Sequence, residues 1–149
     1  MTVWIINGPN INLLGVREPQ IYGTESYDEL CARARAHAEA IGLSVRIMQT
    51  NHEGELIDFL QQARAEADGI ILNAAGYTHT SVAIRDAVCA IAVPTVEVHL
   101  SDPDRREPFR KINFLRDVCF ARIVGRGIGG YLDALDLLKE SIENGKTGT

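Results

Sequence analysis

The chain has 149 residues, the size of one domain built on one hydrophobic core, and its 46% hydrophobic, 23% charged and 6% aromatic composition excludes a disordered or fibrous chain. A net charge of −5 argues against non-specific nucleic-acid binding, which needs a basic surface to displace counterions from phosphates. An anionic small molecule then requires a local basic site. The cysteines Cys31, Cys89 and Cys119 stand far apart and form no Cys-x-x-Cys pair, so buried free thiols in a reducing cytoplasm are expected. The opening Met1-Thr2-Val3-Trp4-Ile5-Ile6 has no basic leader, and no later apolar run approaches membrane-spanning length. A cytoplasmic protein without membrane contact is expected.

In chain order, β-rich runs at 3–6, 43–48, 69–72, 95–98 and 121–124 alternate with segments of helical period. The first helix is predicted over 26–41. Ser26 and Glu29 form a capping-box pattern, Tyr27, Leu30, Cys31, Ala34, Ala38 and Ile41 share one face, and Gly42 ends it. Similar stripes predict helices over 55–65, 81–91 and 131–142, followed by a frayed tail over 144–149. Five strands and four helices with short joins require right-handed crossovers. The fold class is therefore α/β: a single flavodoxin-like domain over 1–149, with a five-stranded parallel sheet in the order 2-1-3-4-5 and helices on both faces. In such sheets a ligand binds beyond the carboxyl ends of the strands, where the strand order reverses.

Those ends are polar. Strand one runs into Asn7-Gly8-Pro9-Asn10 and strand three into Asn73, while strand four contains Glu97 and leads to His99 and Ser101. Turn chemistry explains any one of these, but not their convergence on one edge. The following basic stretch, Arg105 to Lys111, would ordinarily be a solvated helix start. Its place after the same edge positions Arg110 to close over an anionic or hydroxylated ligand as a lid.

Other chemistries fit poorly. Gly125-x-Gly127-x-x-Gly130 imitates a dinucleotide fingerprint, yet no strand follows to offer an acidic residue to a ribose, so close packing or an anion site at a helix N-terminus is the better reading. His37, His52, His79 and His99 lack metal-ligand spacing, and no metal is expected. His37 reads as solvated and His52 as a helix cap, while single histidines at the strand edge, His79 and His99, are more often structural than catalytic. Lys111, Lys139 and Lys146 lie off the strand ends, against an imine mechanism, and no Gly-x-Ser-x-Gly elbow is present.

Six motifs in one order carry a resemblance. They are Ile6-Asn-Gly-Pro-Asn-Ile-Asn-Leu-Leu-Gly15, Arg17-Glu-Pro-Gln-Ile-Tyr-Gly23, Gln49-Thr-Asn-His-Glu-Gly-Glu55, Asn73 with Thr78-His-Thr-Ser-Val-Ala-Ile-Arg-Asp86, Glu97-Val-His-Leu-Ser101, and Arg106-Glu-Pro-Phe-Arg110. Over nearly its whole length the chain resembles the type II 3-dehydroquinate dehydratases. The resemblance implies a cofactor-free anti elimination of water from 3-dehydroquinate through an enolate, in the shikimate or quinate pathway. Tyr22 would remove the proton beside the ketone. A free tyrosine ionises near pH 10, so a base at neutral pH needs a close permanent cation; Arg17 fits that need, with Arg110 as a second.

The family pattern further implies His99 as the proton donor, with Glu97 behind it, and Asn10 acting through a water on the enolate oxygen. Asn73, the backbone around Leu100 and Ser101, and the Ser101 side chain would hold the substrate carboxylate, with His79 and Arg110 on ring hydroxyls. Asp86 would reach the site of a neighbouring subunit in a dodecamer built from trimers. Departures lie at 111–126, where Ile112-Asn113-Phe114-Leu115-Arg116 replaces a His-Ser-Tyr-Leu-Ser run and Gly129 later replaces a Gln; Ala74-Ala75-Gly76-Tyr77 is also a variant form. The competing reading is a non-catalytic flavodoxin-like binding or receiver module. Against it, the turn after strand one has neither the acidic residues of a receiver nor the Ser/Thr-rich loop of a flavin binder. A related lyase acting on another hydroxylated cyclic ketone is the second alternative.

Overall fold

Strand β1, Thr2–Asn7, is an interior strand of the sheet, and its run Val3-Trp4-Ile5-Ile6 is buried on both faces, as a parallel strand covered by helices requires. The computed structural model describes residues 1–16, 18–22 and 24–147; Arg17, Gly23 and the side chains of Pro19, Tyr22 and Thr147 lie outside the described residues. On one side β1 pairs with β2, Ser44–Gln49, and on the other with β3, Gly69–Asn73. Strand β3 pairs with β4, Thr95–His99, and β4 with β5, Ala121–Val124. All pairings are parallel, and the order β2-β1-β3-β4-β5 is the one expected from the sequence. Strand order therefore reverses between β1 and β3.

The register places Asn7 beside both Gln49 and Asn73, and Glu97 beside Arg122. Four of the strands extend one residue past their predicted ends, to Asn7, Gln49, Asn73 and His99. Their backbones stay extended although their side chains are polar.

Side chains alternate across β1, so Val3 and Ile5 face one helical layer and Trp4 and Ile6 the other. The first layer is α2, Tyr27–Ala40, and α5, Gly129–Thr147, which contribute Leu30, Ala34, Tyr131, Leu135 and Leu138. The second is α3, Glu53–Glu66, and α4, Val82–Ile91, with Leu56, Leu60, Ile84 and Val88. Each fully buried Leu or Ile contributes roughly 1.5–3 kcal/mol. The predicted cap holds: Ser26 Oγ accepts the Glu29 N–H at 3.1 Å, and Ser81 does the same for Ile84 at 3.0 Å.

Several details differ from expectation. A short helix α1, Pro19–Tyr22, opens on a proline whose fixed φ suits a first helical turn. Helix α5 starts at Gly129, where two glycines hide a helix from any propensity argument, and is helical through Thr147, four residues into the segment expected to fray. Only Cys119 is buried; Cys31 is half-buried and Cys89 exposed, because Cys89 lies on the outward face of α4 beside buried Val88. His37 is not simply solvated, since its Nε2 meets Asp136 Oδ1 at 2.7 Å. His52 occupies the N-cap position of α3 without a side-chain capping bond. No helix among the described residues is long and apolar enough to cross a membrane.

Candidate active site

A pocket of about 220 Å³ opens at the carboxyl ends of β1, β3 and β4. It is below the roughly 300–1,000 Å³ typical of drug-sized ligands, so it suits one small molecule. Four stretches line it: Pro9, Asn10 and Ile11 after β1; Asn73, Ala75, Gly76 and His79 after β3; His99, Leu100 and Ser101 after β4; and Pro103, Arg106 and Arg110 beyond.

The first wall is shaped by strand β2. Asn10 has φ 71°, a left-handed conformation that asparagine tolerates better than most residues. Its N–H donates to Asn51 Oδ1 at 3.1 Å; Gln49 Nε2 donates to the same oxygen at 3.2 Å and to the Gly8 carbonyl at 3.1 Å. Gly8 itself donates to the Asn73 carbonyl at 2.8 Å, and a Cβ added there would lie 2.7 Å from the Ala74 oxygen. A Gly8→Ala variant should therefore push β1 and β3 apart, at a cost of about 1–3 kcal/mol from overpacking. Calorimetry should find the melting temperature lowered by about 2–12 °C, and an unchanged melt would show that the backbone gives way freely.

Behind the second wall lies a buried polar chain. Tyr131 Oη donates to Asn7 Oδ1 at 2.6 Å and accepts from Asn73 Nδ2 at 2.9 Å, while Asn73 Oδ1 accepts the Ala75 N–H at 3.1 Å. Burial pushes the Tyr131 pKa up, so the hydroxyl keeps the hydrogen it donates. Asn73 is thereby held rigidly, with one N–H of its amide left for a ligand. Nearby, His79 Nδ1 lies 2.6 Å from the Ile112 carbonyl and must donate to it, because a carbonyl only accepts. Burial pulls the His79 pKa below its usual value; the Ile112 bond opposes this, and the charges of His99 and Arg110 add to the fall. Neutral His79 thus presents Nε2 as an acceptor, fit for a hydroxyl.

The third wall carries an acid–base pair. Glu97 and His99 are two apart on β4 and so share a face of the sheet. Both are buried, at 0% and 6% exposure, and His99 Nε2 is hydrogen-bonded to Glu97 Oε2. Nδ1 is left as the ring nitrogen for a ligand. The carboxylate also accepts from Asn113 Nδ2 at 2.7 Å and has Arg122 Nε at 3.7 Å. Burial opposes the charge on Glu97, yet the bonds from His99 and Asn113 and the charge of Arg122 outweigh it and hold the carboxyl below its usual pKa. The carbonyls of His99, Leu100 and Ser101 are taken up by the N–H groups of Gly125 and Gly127, so the glycine motif closes the turn after β4. Among the described residues no group of three or more His, Cys, Asp or Glu is placed to hold a metal ion.

Polar strand ends, a buried carboxylate–imidazole pair and two arginines suit proton transfer on a small anionic, hydroxylated ligand. Residues 1–139 match the family Dehydroquinase class II. The chain belongs to this family. It is 50% identical over 136 residues, 91% of each chain, to a protein of Dinoroseobacter shibae named 3-dehydroquinate dehydratase. A catabolic 3-dehydroquinase of Aspergillus clavatus is 45% identical over 135 residues, covering 91% of this chain and 90% of that one. Among solved structures, the type II dehydroquinase of Butyrivibrio crossotus superposes with a TM-score of 0.91 at 42% identity, over 93% of this chain and 97% of that one. Membership in a dehydroquinase family favours the enzyme reading over a binding or receiver module.

In this class II dehydroquinase the fold brings together Asn10, Asn73, His79, His99, Leu100, Ser101 and Arg110, with Glu97 directly behind. Asp86 stands exposed on α4 and does not line the pocket. Arg17 and the Tyr22 side chain lie outside the described residues. The rim adds Arg106, which the sequence reading left without a role: it lines the pocket and pairs with Glu18 at 3.6 Å and Glu107 at 3.8 Å. Arg110 Nε donates to the same Glu107 at 2.6 Å, so one carboxylate organises both rim cations. Gln49, Asn51, Tyr131, Asn113 and Arg122 support the site from outside the pocket. Of these, only Gln49 and Asn51 lie in a motif that carried the resemblance.

Proposed function

We propose that this dehydroquinase converts 3-dehydroquinate to 3-dehydroshikimate by a reversible anti elimination of water through an enolate, with Tyr22 as base and His99 as acid. The observation that carries the reading is the pocket-lining His99, anchored through Nε2 on a buried, ionised Glu97 so that Nδ1 is left for the ligand.

Tyr22, kept ionised by Arg17, takes a proton from the carbon beside the ketone. The electron pair moves onto the ketone oxygen, and Asn10 stabilises this enolate through a water. As the enolate collapses, the carbon–hydroxyl bond at the tertiary carbon breaks and His99 protonates the departing oxygen, so water leaves and a conjugated ketone remains. Asn73, Ser101 and the backbone at Leu100 hold the carboxylate, and His79 and Arg110 hold ring hydroxyls. Asp86 of one subunit serves the site of a neighbour in an oligomer built from trimers.

The test is direct. Purified chain mixed with 3-dehydroquinate should raise the ultraviolet absorbance of the conjugated product at catalytic protein concentrations. No rise would overturn the assignment, and turnover of only a different hydroxylated cyclic ketone would replace the substrate.

A further inference from the structure

The residues that follow Arg110 reach His79 and the carboxylate that holds His99. The Ile112 carbonyl holds His79 Nδ1, and the next residue, Asn113, donates from Nδ2 to Glu97 Oε2 at 2.7 Å. The other end of that amide fixes which way round it sits. Asn113 Oδ1 accepts from the backbone N–H groups of Leu115 at 2.7 Å and Arg116 at 2.9 Å. Those groups only donate, so the oxygen must face them and the nitrogen must face Glu97.

Glu97 needs such a partner. Among the described residues its buried Oε1 has no hydrogen-bond partner, and neither has the buried Arg122 Nε, which stays at ion-pair distance from Oε2. The orientation of the carboxylate therefore depends on the donors to Oε2, and among the described residues the donor besides His99 is Asn113. The terminal torsion of a glutamate is soft, so a carboxylate held only by His99 could turn and take the imidazole with it.

We propose that Asn113 is a positioning residue for the proton donor, pinning the Glu97 carboxylate and through it aiming His99 at the substrate. The proposal rests on the reading of His99 as the acid. It also ties the dyad to the segment that carries Arg110, since one stretch of four residues touches the rim, His79 and Glu97. The charged and titratable groups around Glu97 are His99 on its own strand, Arg122 on β5, Cys119 just before β5, and His79 after β3. Burial pushes the Cys119 thiol up to about 12, so it remains neutral and leaves the charge balance to the others.

Asn113→Asp separates this role from a merely structural one. The substitution keeps an oxygen for the Leu115 and Arg116 N–H groups, so a residue that only shaped the turn would be replaced without loss. It removes the donor to Glu97 unless the introduced carboxyl carries a proton. Expected are a folded enzyme with a melting temperature lowered at neutral pH by repulsion between the introduced carboxylate and Glu97, kcat lowered about tenfold from the loss of a hydrogen bond to a charged group, KM within about twofold, and a deficit that narrows as pH falls. Asn113→Ala, which cannot regain a donor, should show a similar kcat loss at every pH. Either folded variant with kcat within twofold of the parent overturns the proposal, as does a deficit in Asn113→Asp that ignores pH. Failure of both variants to fold would overturn it too, by making Asn113 a folding residue. His99→Asn, assayed alongside, separates the two levels: undiminished kcat there removes the acid reading itself.

Discussion

Exchanging His99 for Asn should lower kcat about 10²- to 10⁴-fold, the range for removing a general acid, while KM stays within about threefold. The asparagine amide occupies much of the imidazole's space, so ground-state binding is largely kept; on the proposed mechanism, what disappears is the proton offered to the departing hydroxyl, an interaction made only in the transition state. The neighbouring Glu97 keeps its charge to a lower pH than an ordinary glutamate, held against burial by the bonds from His99 and Asn113 and the charge of Arg122. Glu97 has a folded-state pKa below its unfolded value near 4.3. Its ionisation therefore stabilises the folded chain fully above that unfolded value, and the contribution is lost as pH falls through the lower, folded one. Loss of activity between about pH 5 and 7 is then not a titration of Glu97. Steady-state kinetics on 3-dehydroquinate decide the matter: a His99→Asn enzyme within tenfold of the parent kcat would remove His99 as the acid.

The strands were legible because a parallel sheet covered on both faces demands near-continuous apolar runs, and Val3 to Ile6 and Gly69 to Leu72 have no other reading. Alternation with helices called for a parallel sheet, and the flavodoxin-like order was the best fit to five strands. The pocket edge was legible for a related reason: Asn7, Asn73, Glu97 and His99 are polar residues in or beside strands that have no room for unpaired polar groups. What stayed hidden depends on register and on distant pairing. Glu97 and Arg122 are neighbours only because β4 and β5 pair in that register. Tyr131 reads as one more member of an apolar stripe, and nothing local says that its hydroxyl joins Asn7 to Asn73 across more than half the chain. Asn113 lies in a stretch without helical or strand period, so its contact with Glu97 had no pattern to announce it.

Removing the Tyr22 hydroxyl should be as damaging as removing the imidazole, and the manner of the loss tests Arg17 as well. Tyr22→Phe deletes one oxygen, and kcat should fall by at least about 10²-fold, the lower range for a general base. The segment that carries it adjoins the pocket: Glu18, turning at φ 40° into α1, meets the pocket-lining Arg106 at 3.6 Å. That turn is left-handed and strained for a residue with a side chain, and the ion pair across to Arg106 helps hold it. A phenol that is neutral in water at pH 7 works as a base only beside a fixed positive charge. If Arg17 supplies it, Arg17→Met should lose nearly as much as Tyr22→Phe, because an un-ionised phenol is no better than none. The double variant should then be no worse than the weaker of the two singles, since both act on one event. Losses that multiply in the double variant would mean that Arg17 acts on the substrate independently, and the cation that ionises Tyr22 would have to be sought at Arg106 or Arg110.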